Sequence, residues 1–209
     1  MKNTTNQLVT LLCYLVLSVV GTILSALSIT GHAYFGIITT LSLVATVAMI
    51  YLVQKSGKNE FELPKFNAKK FVTWVLIGAI GAILIQIGLT FVEQGLLHIA
   101  TNSQNTASML TQIKGYPYYM LYVLICAPIM EEIVFRRIFF ADLIRPTNIY
   151  LAIIISSVLF AFMHQDTRFV IYLLMGAWFC FVYYKSKNIY ASATSHIIMN
   201  LVVFGLSIV

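Results

Sequence analysis

Apolar residues in this chain come in long unbroken runs, without the period-two alternation of a half-buried strand or the three-to-four spacing of a surface helix. Seven runs approach the roughly 20 residues a helix needs to cross the hydrocarbon layer: 8–30, 34–53, 71–92, 118–143, 149–164, 168–184 and 189–208. They predict an all-α fold, a polytopic helical membrane protein with about seven transmembrane helices. The first run is long and has no small-residue cleavage site after a short core, so a retained span is expected rather than a removed signal peptide. The segment 54–70 carries five lysines, two glutamates and Pro64, and reads as a solvated connector. The segment 93–116 is rich in Ser, Thr, Asn and Gln, and reads as a longer surface loop with room for a short interfacial helix around 95–100. In the third run Gly78, Gly81, Ala82 and Gly88 are small residues of the kind that let helix backbones approach.

Composition agrees: 60% of the 209 residues are hydrophobic, 10% are charged, and the mean hydropathy is +0.89, which excludes a soluble domain. The net charge of +6 does not point to nucleic acid, because the lysines sit in loops between spans, as the bias of cytoplasmic loops toward Lys and Arg explains. With the N-terminus inside, eleven cations fall on that side, among them Lys2, Lys55, Lys58, Arg137, Arg145 and Lys187, against Lys114 and Arg168 on the other. The expectation is an integral protein of the plasma membrane with a cytoplasmic N-terminus, an outer C-terminus and a cytoplasmic 54–70 loop. Cys13, Cys126 and Cys180 are odd in number and lie in apolar runs, so they read as small buried hydrophobes. Nothing in the sequence sets the oligomeric state.

Chemistry enters with Glu131 and Glu132, the carboxylates placed well inside an apolar run. An ionised group at the middle of a membrane helix costs about 2.5–3.5 kcal/mol even on lenient scales, so such residues face protein or a wet cavity and carry function. Glu132 and Arg136 stand four apart with the acid first, the favourable order for a helix ion pair. Glu131 is turned about 100° away and has no such partner. Pro128 breaks the backbone ladder just before it. Phe160 and His164 share a face at i and i+4, as do His196 and Asn200, with Thr194 and Ser195 beside them. Taken singly, the bland readings are neutralising charges and hydrogen-bonded packing residues. Together they gather in the last four runs.

These three elements, E-E-x-x-x-R, F-x-x-x-H and H-x-x-x-N on successive helices, resemble the CPBP family (CAAX proteases and bacteriocin-processing enzymes, also called the Abi family) of intramembrane endopeptidases. The likeness covers roughly 117–206, which divides the chain into N-terminal spans and loops without a recognised motif (1–116) and a catalytic core (117–209). It implies that Glu131 with His164 activates a water, that His196 and Asn200 stabilise the oxyanion, and that Glu132, Arg136 and Phe160 support them. Such chemistry is coherent, since a carboxylate held away from bulk water is a better proton acceptor and aimed N–H donors stabilise a tetrahedral intermediate. The substrate implied is a membrane-associated peptide or protein, cut near the cytoplasmic side. His164 ends its run far from that side, so the motif asks either for a fifth span that starts later and continues past His164 or for strong tilt.

Other chemistries remain open. Glu131, His164 and His196 could hold a divalent metal such as zinc with an open position for water. A non-enzymatic bacteriocin self-immunity protein or membrane scaffold would use the same polar groups structurally, and a proton path would use them as a relay. Serine, aspartyl and H-E-x-x-H zinc protease motifs are absent from the sequence.

Overall fold

The computed structural model describes residues 2–63, 65–95 and 104–208, and contains no strand among them. The helices are α1 (Lys2–Ala26), α2 (Gly31–Ser56), α3 (Ala68–Gly95), α4 (Gln104–Gly115), α5 (Pro117–Ile144), α6 (Ile149–His164), α7 (Phe169–Ser186) and α8 (Ile189–Ser207). All but α4 and α6 are long and apolar enough to cross a membrane, and α6 is a shorter apolar helix. The molecule is a polytopic helical membrane protein. Each predicted run has its helix, with ends moved by a few residues. The interfacial helix expected around 95–100 falls on residues outside those described. The polar segment that follows is helical over Gln104–Gly115 rather than loop.

Leu12, Val16, Val47 and Leu84 are all more than half exposed. Apolar surface of this extent is stable against lipid and not against water. Side chains that turn inward fill the remaining core, with Met49, Ala82, Phe160 and Phe179 at its centre. The small residues of α3 act where predicted, with one exception. A Cβ on Gly78 would run into the Ser195 side chain, and one on Gly81 into the Trp178 ring, while Trp178 donates its indole N–H to the Gly78 carbonyl at 2.8 Å. Gly88 faces open space and is not a packing position.

Tight turns bring the motif helices together. Asn148 caps α6 by accepting from the Leu151 N–H, and Asn188 caps α8 by accepting from the Tyr190 N–H. Gln165 and Lys187 take left-handed backbone conformations, φ 48 and 57, and end α6 and α7. The fifth span therefore does not run past His164. α6 is instead a short helix of 16 residues, about 24 Å long, and the turn that follows it reaches Thr90 and Glu93 near the C-terminal end of α3 through Arg168.

The connector 57–67 is not simply solvated. Glu62, its side chain 9% exposed, pairs with buried Arg137 at 3.2 Å, Asn59 donates to the Tyr183 hydroxyl at 2.6 Å, and the Leu63 N–H donates to the Lys187 carbonyl. These contacts tie the Lys-rich connector to α5 and to the turn between α7 and α8.

Candidate active site

Helix α5 departs from α geometry around the two glutamates. Tyr122–Cys126 and Glu132–Phe140 are π-helical, on either side of the α turn Ala127–Glu131. Pro128 has no N–H to offer the turn before it, which accounts for the first departure. Widened turns of this kind recur at functional sites because they redirect side chains within an otherwise continuous helix.

The two acids part company here. The Glu132 side chain has no exposed surface, whereas that of Glu131 is 16% exposed. Glu132 lies 3.3 Å from Arg136 Nη1, accepts from the Ser192 hydroxyl at 2.5 Å, and faces His196 Nδ1 at 3.1 Å. Arg136 is fully buried, donates from Nη2 toward the Gly176 carbonyl, and stacks its guanidinium 4.3 Å from the centre of the Phe160 ring. The opposite charge, the hydrogen bonds and the aromatic face compensate the desolvation of this pair.

Glu131 instead lines a cavity of ≈ 500 Å³ together with Phe160, His164, His196 and Asn200. The structure thus brings the expected catalytic residues to one space. Phe160 links the two regions, with Arg136 on one side and the His164 ring 4.5 Å away. His164 is held by Nδ1 against the Phe160 carbonyl at 2.8 Å and stacks on Tyr172. A carbonyl can only accept, so that nitrogen carries the hydrogen and the neutral ring is a base at Nε2. His196 is fixed in the same way by Glu132 and stacks on Phe179, which leaves its Nε2 3.9 Å from Glu131. Glu131, without an ion-pair partner on its own helix, therefore faces His196 of α8.

Two further points differ from the sequence reading. Ser195 turns away from the cavity and hydrogen-bonds the Ala191 and Val75 carbonyls against α3. The serine that matters is Ser192, one turn before His196; Ser192, His196 and Asn200 continue one helix face at four-residue spacing, a signal that was present in the sequence. The remaining lining of the cavity includes Ser108 and Gln112 of α4, Tyr119, Gln165 and Arg168. All of these lie at the end of the bundle opposite the Lys-rich connector, so the space leads away from the connector rather than toward it. Arg168 is held there by Glu93 at 2.8 Å and Thr90 at 2.6 Å. Among the described residues no three His, Cys, Asp or Glu side chains are grouped as metal ligands. Glu131, His164 and His196 share the cavity without forming such a cluster.

A protein of Bacillus subtilis (strain 168) that carries the name membrane peptidase YdiL is 30% identical over 168 residues, 79% of this chain and 69% of the relative. This chain belongs to the CPBP family. The Staphylococcus aureus (strain USA300) membrane-embedded CAAX protease MroQ is 27% identical over 183 residues, 83% of this chain and 74% of the relative. A family model described as type II CAAX prenyl endopeptidase Rce1-like matches residues 113–202, a stretch that contains Glu131, Glu132, Arg136, Phe160, His164, His196 and Asn200. Both pairwise matches are longer than the motif-bearing region and reach into the N-terminal spans. No solved structure matches the chain. Family membership makes this CPBP protein a CAAX-protease-like integral membrane enzyme.

Proposed function

We propose that this CPBP protein is an intramembrane endopeptidase that hydrolyses a peptide bond of a membrane-associated peptide or protein, with Glu131 as the base that activates water. The observation that carries this reading is the partial exposure of Glu131 in a cavity it shares with His164, His196 and Asn200, while Glu132 is sealed beneath. Glu131 takes a proton from water, the hydroxide attacks the scissile carbonyl, and the proton is passed to the leaving amine. His164 Nε2 is a second acceptor in the same space. The Asn200 amide supplies a neutral donor to the oxyanion. His196 Nε2 accepts in the neutral ring and donates only in the imidazolium, so its stabilisation of the oxyanion requires a proton on the ring.

The direction of the cavity favours a cut on the opposite side of the membrane from the one expected. With the N-terminus in the cytoplasm, as the distribution of Lys and Arg favours, the lining residues of α4 and the Gln165 to Arg168 turn face the outer side. Substrate then enters from the outer half of the membrane rather than the cytoplasmic one. Labelling a Lys58→Cys variant in intact cells with a membrane-impermeant reagent tests the orientation; efficient labelling reverses it.

The function itself is tested by mass spectrometry of small secreted peptides from cells with the wild-type gene, without it, and with Glu131→Gln. Glu131→Gln should reproduce the peptide profile of the deletion while the protein stays at wild-type abundance. An immunity or scaffold protein predicts instead that Glu131→Gln behaves as wild type. Elemental analysis of the purified protein addresses the metal alternative: water activation by Glu131 alone predicts no stoichiometric zinc, and zinc that is lost on Glu131→Gln would make Glu131 a ligand.

A further inference from the structure

A second cavity, of ≈ 430 Å³, lies at the Lys-rich end of the bundle between the connector and the turn that joins α7 to α8. Five cations line it: Lys58, Lys65, Lys70, Arg137 and Lys187. Glu62 is the acidic residue among its lining, and it is engaged by Arg137 and the Tyr183 hydroxyl. For Lys65, Lys70 and Lys187 no carboxylate lies within ion-pair distance among the described residues. The lining also includes Asn188 and Ile189 at the N-terminus of the 19-residue α8, the end of a helix that favours anions. Phe66 and Tyr190, both exposed, add aromatic surface to the cavity.

Lys187 is held by contacts on both its backbone and its side chain. Its backbone is left-handed, a conformation more readily taken by glycine or asparagine. Its carbonyl accepts from Leu63, and its ammonium lies 4.1 Å from the Tyr184 ring centre. Loss of water around that ammonium, together with repulsion from Lys70 and Lys185, holds its pKa below the ordinary lysine value. A group of like charges at a half-enclosed site is relieved by a bound anion.

We propose that this cavity binds the phosphate headgroup of an anionic phospholipid, with Lys65, Lys70 and Lys187 around the phosphate and Phe66 and Tyr190 beside the glycerol and first acyl carbons. Basic pockets between membrane helices are suited to such headgroups, and each cation near the surface contributes the equivalent of about fivefold in affinity. The site is separate from the peptidase cavity and independent of the reaction proposed there. An occupant would tie the connector, α3, α5 and the α7–α8 turn together at the Lys-rich end.

The test titrates phosphatidylglycerol, phosphatidylcholine and inorganic phosphate separately into the purified full chain in detergent, with bound species counted by native mass spectrometry. The expected result is saturable binding of phosphatidylglycerol in preference to phosphatidylcholine, weakened about fivefold by either Lys70→Gln or Lys187→Gln. Lys69→Gln removes the same charge from a residue that does not line the cavity, and should leave the affinity unchanged. Equal binding of the two lipids, or an equal effect of Lys69→Gln and Lys70→Gln, overturns the site. Inorganic phosphate that binds as tightly as phosphatidylglycerol overturns the lipid as its occupant.

Discussion

Glu131 and Glu132 are adjacent and chemically identical, yet they belong to different regions of the molecule. Glu132 is at the centre of a dry knot in which a guanidinium, a serine hydroxyl and an imidazole satisfy one carboxylate. Glu131 looks into a cavity lined by polar and apolar side chains, with one histidine 3.9 Å away. Under the proposed mechanism, the difference is how a membrane protein can hold a reactive acid. Charge compensation is concentrated in the buried layer, which fixes His196 and packs Phe160 against His164, and the acid facing the cavity is the one proposed to act on water.

The largest expected effect tests that division directly. Replacement of Glu131 by Gln should lower turnover by about 10²–10⁴-fold, the range for a general base, with little change in melting temperature. A purified Glu131→Gln protein with wild-type turnover would remove it from the base role.

Glu132→Gln should act mainly on stability. Removal of one partner of a fully buried ion pair leaves Arg136 uncompensated and costs about 3–5 kcal/mol. Lower abundance and a lower melting temperature are expected, with activity retained in the fraction that folds. If Glu132→Gln folds normally and is inactive while Glu131→Gln works, the two roles are exchanged.

Ser192→Ala sharpens the comparison with a smaller perturbation. It deletes a hydrogen bond to a buried carboxylate, worth about 1.5–3 kcal/mol, and leaves the ion pair and the cavity groups in place. Thermal unfolding should detect it, and turnover should change far less than in Glu131→Gln. A Ser192→Ala protein as inactive as Glu131→Gln would mean that the knot does more than hold His196.

The sequence by itself determined the class and singled out residues that line one cavity. Uninterrupted apolar runs of membrane-spanning length leave helices as the means to satisfy every backbone group in lipid, and each predicted run became a helix. Spacing by four placed Glu132 over Arg136, Phe160 under His164 and His196 under Asn200, because residues one turn apart share a face whatever surrounds the helix. What lies opposite each face was decided only by the tertiary structure. Sequence spacing cannot show that Glu131 meets His196 on a helix 65 positions further along, that Ser192 rather than Ser195 turns toward the acids, or that Glu62 leaves its lysine-rich connector to pair with Arg137. Nor can it show that the short α6 ends His164 at the depth of the cavity, or that this cavity leads away from the Lys-rich end. These are distances between helices. They follow from where small residues let backbones approach, where turns end helices, and where π turns redirect side chains.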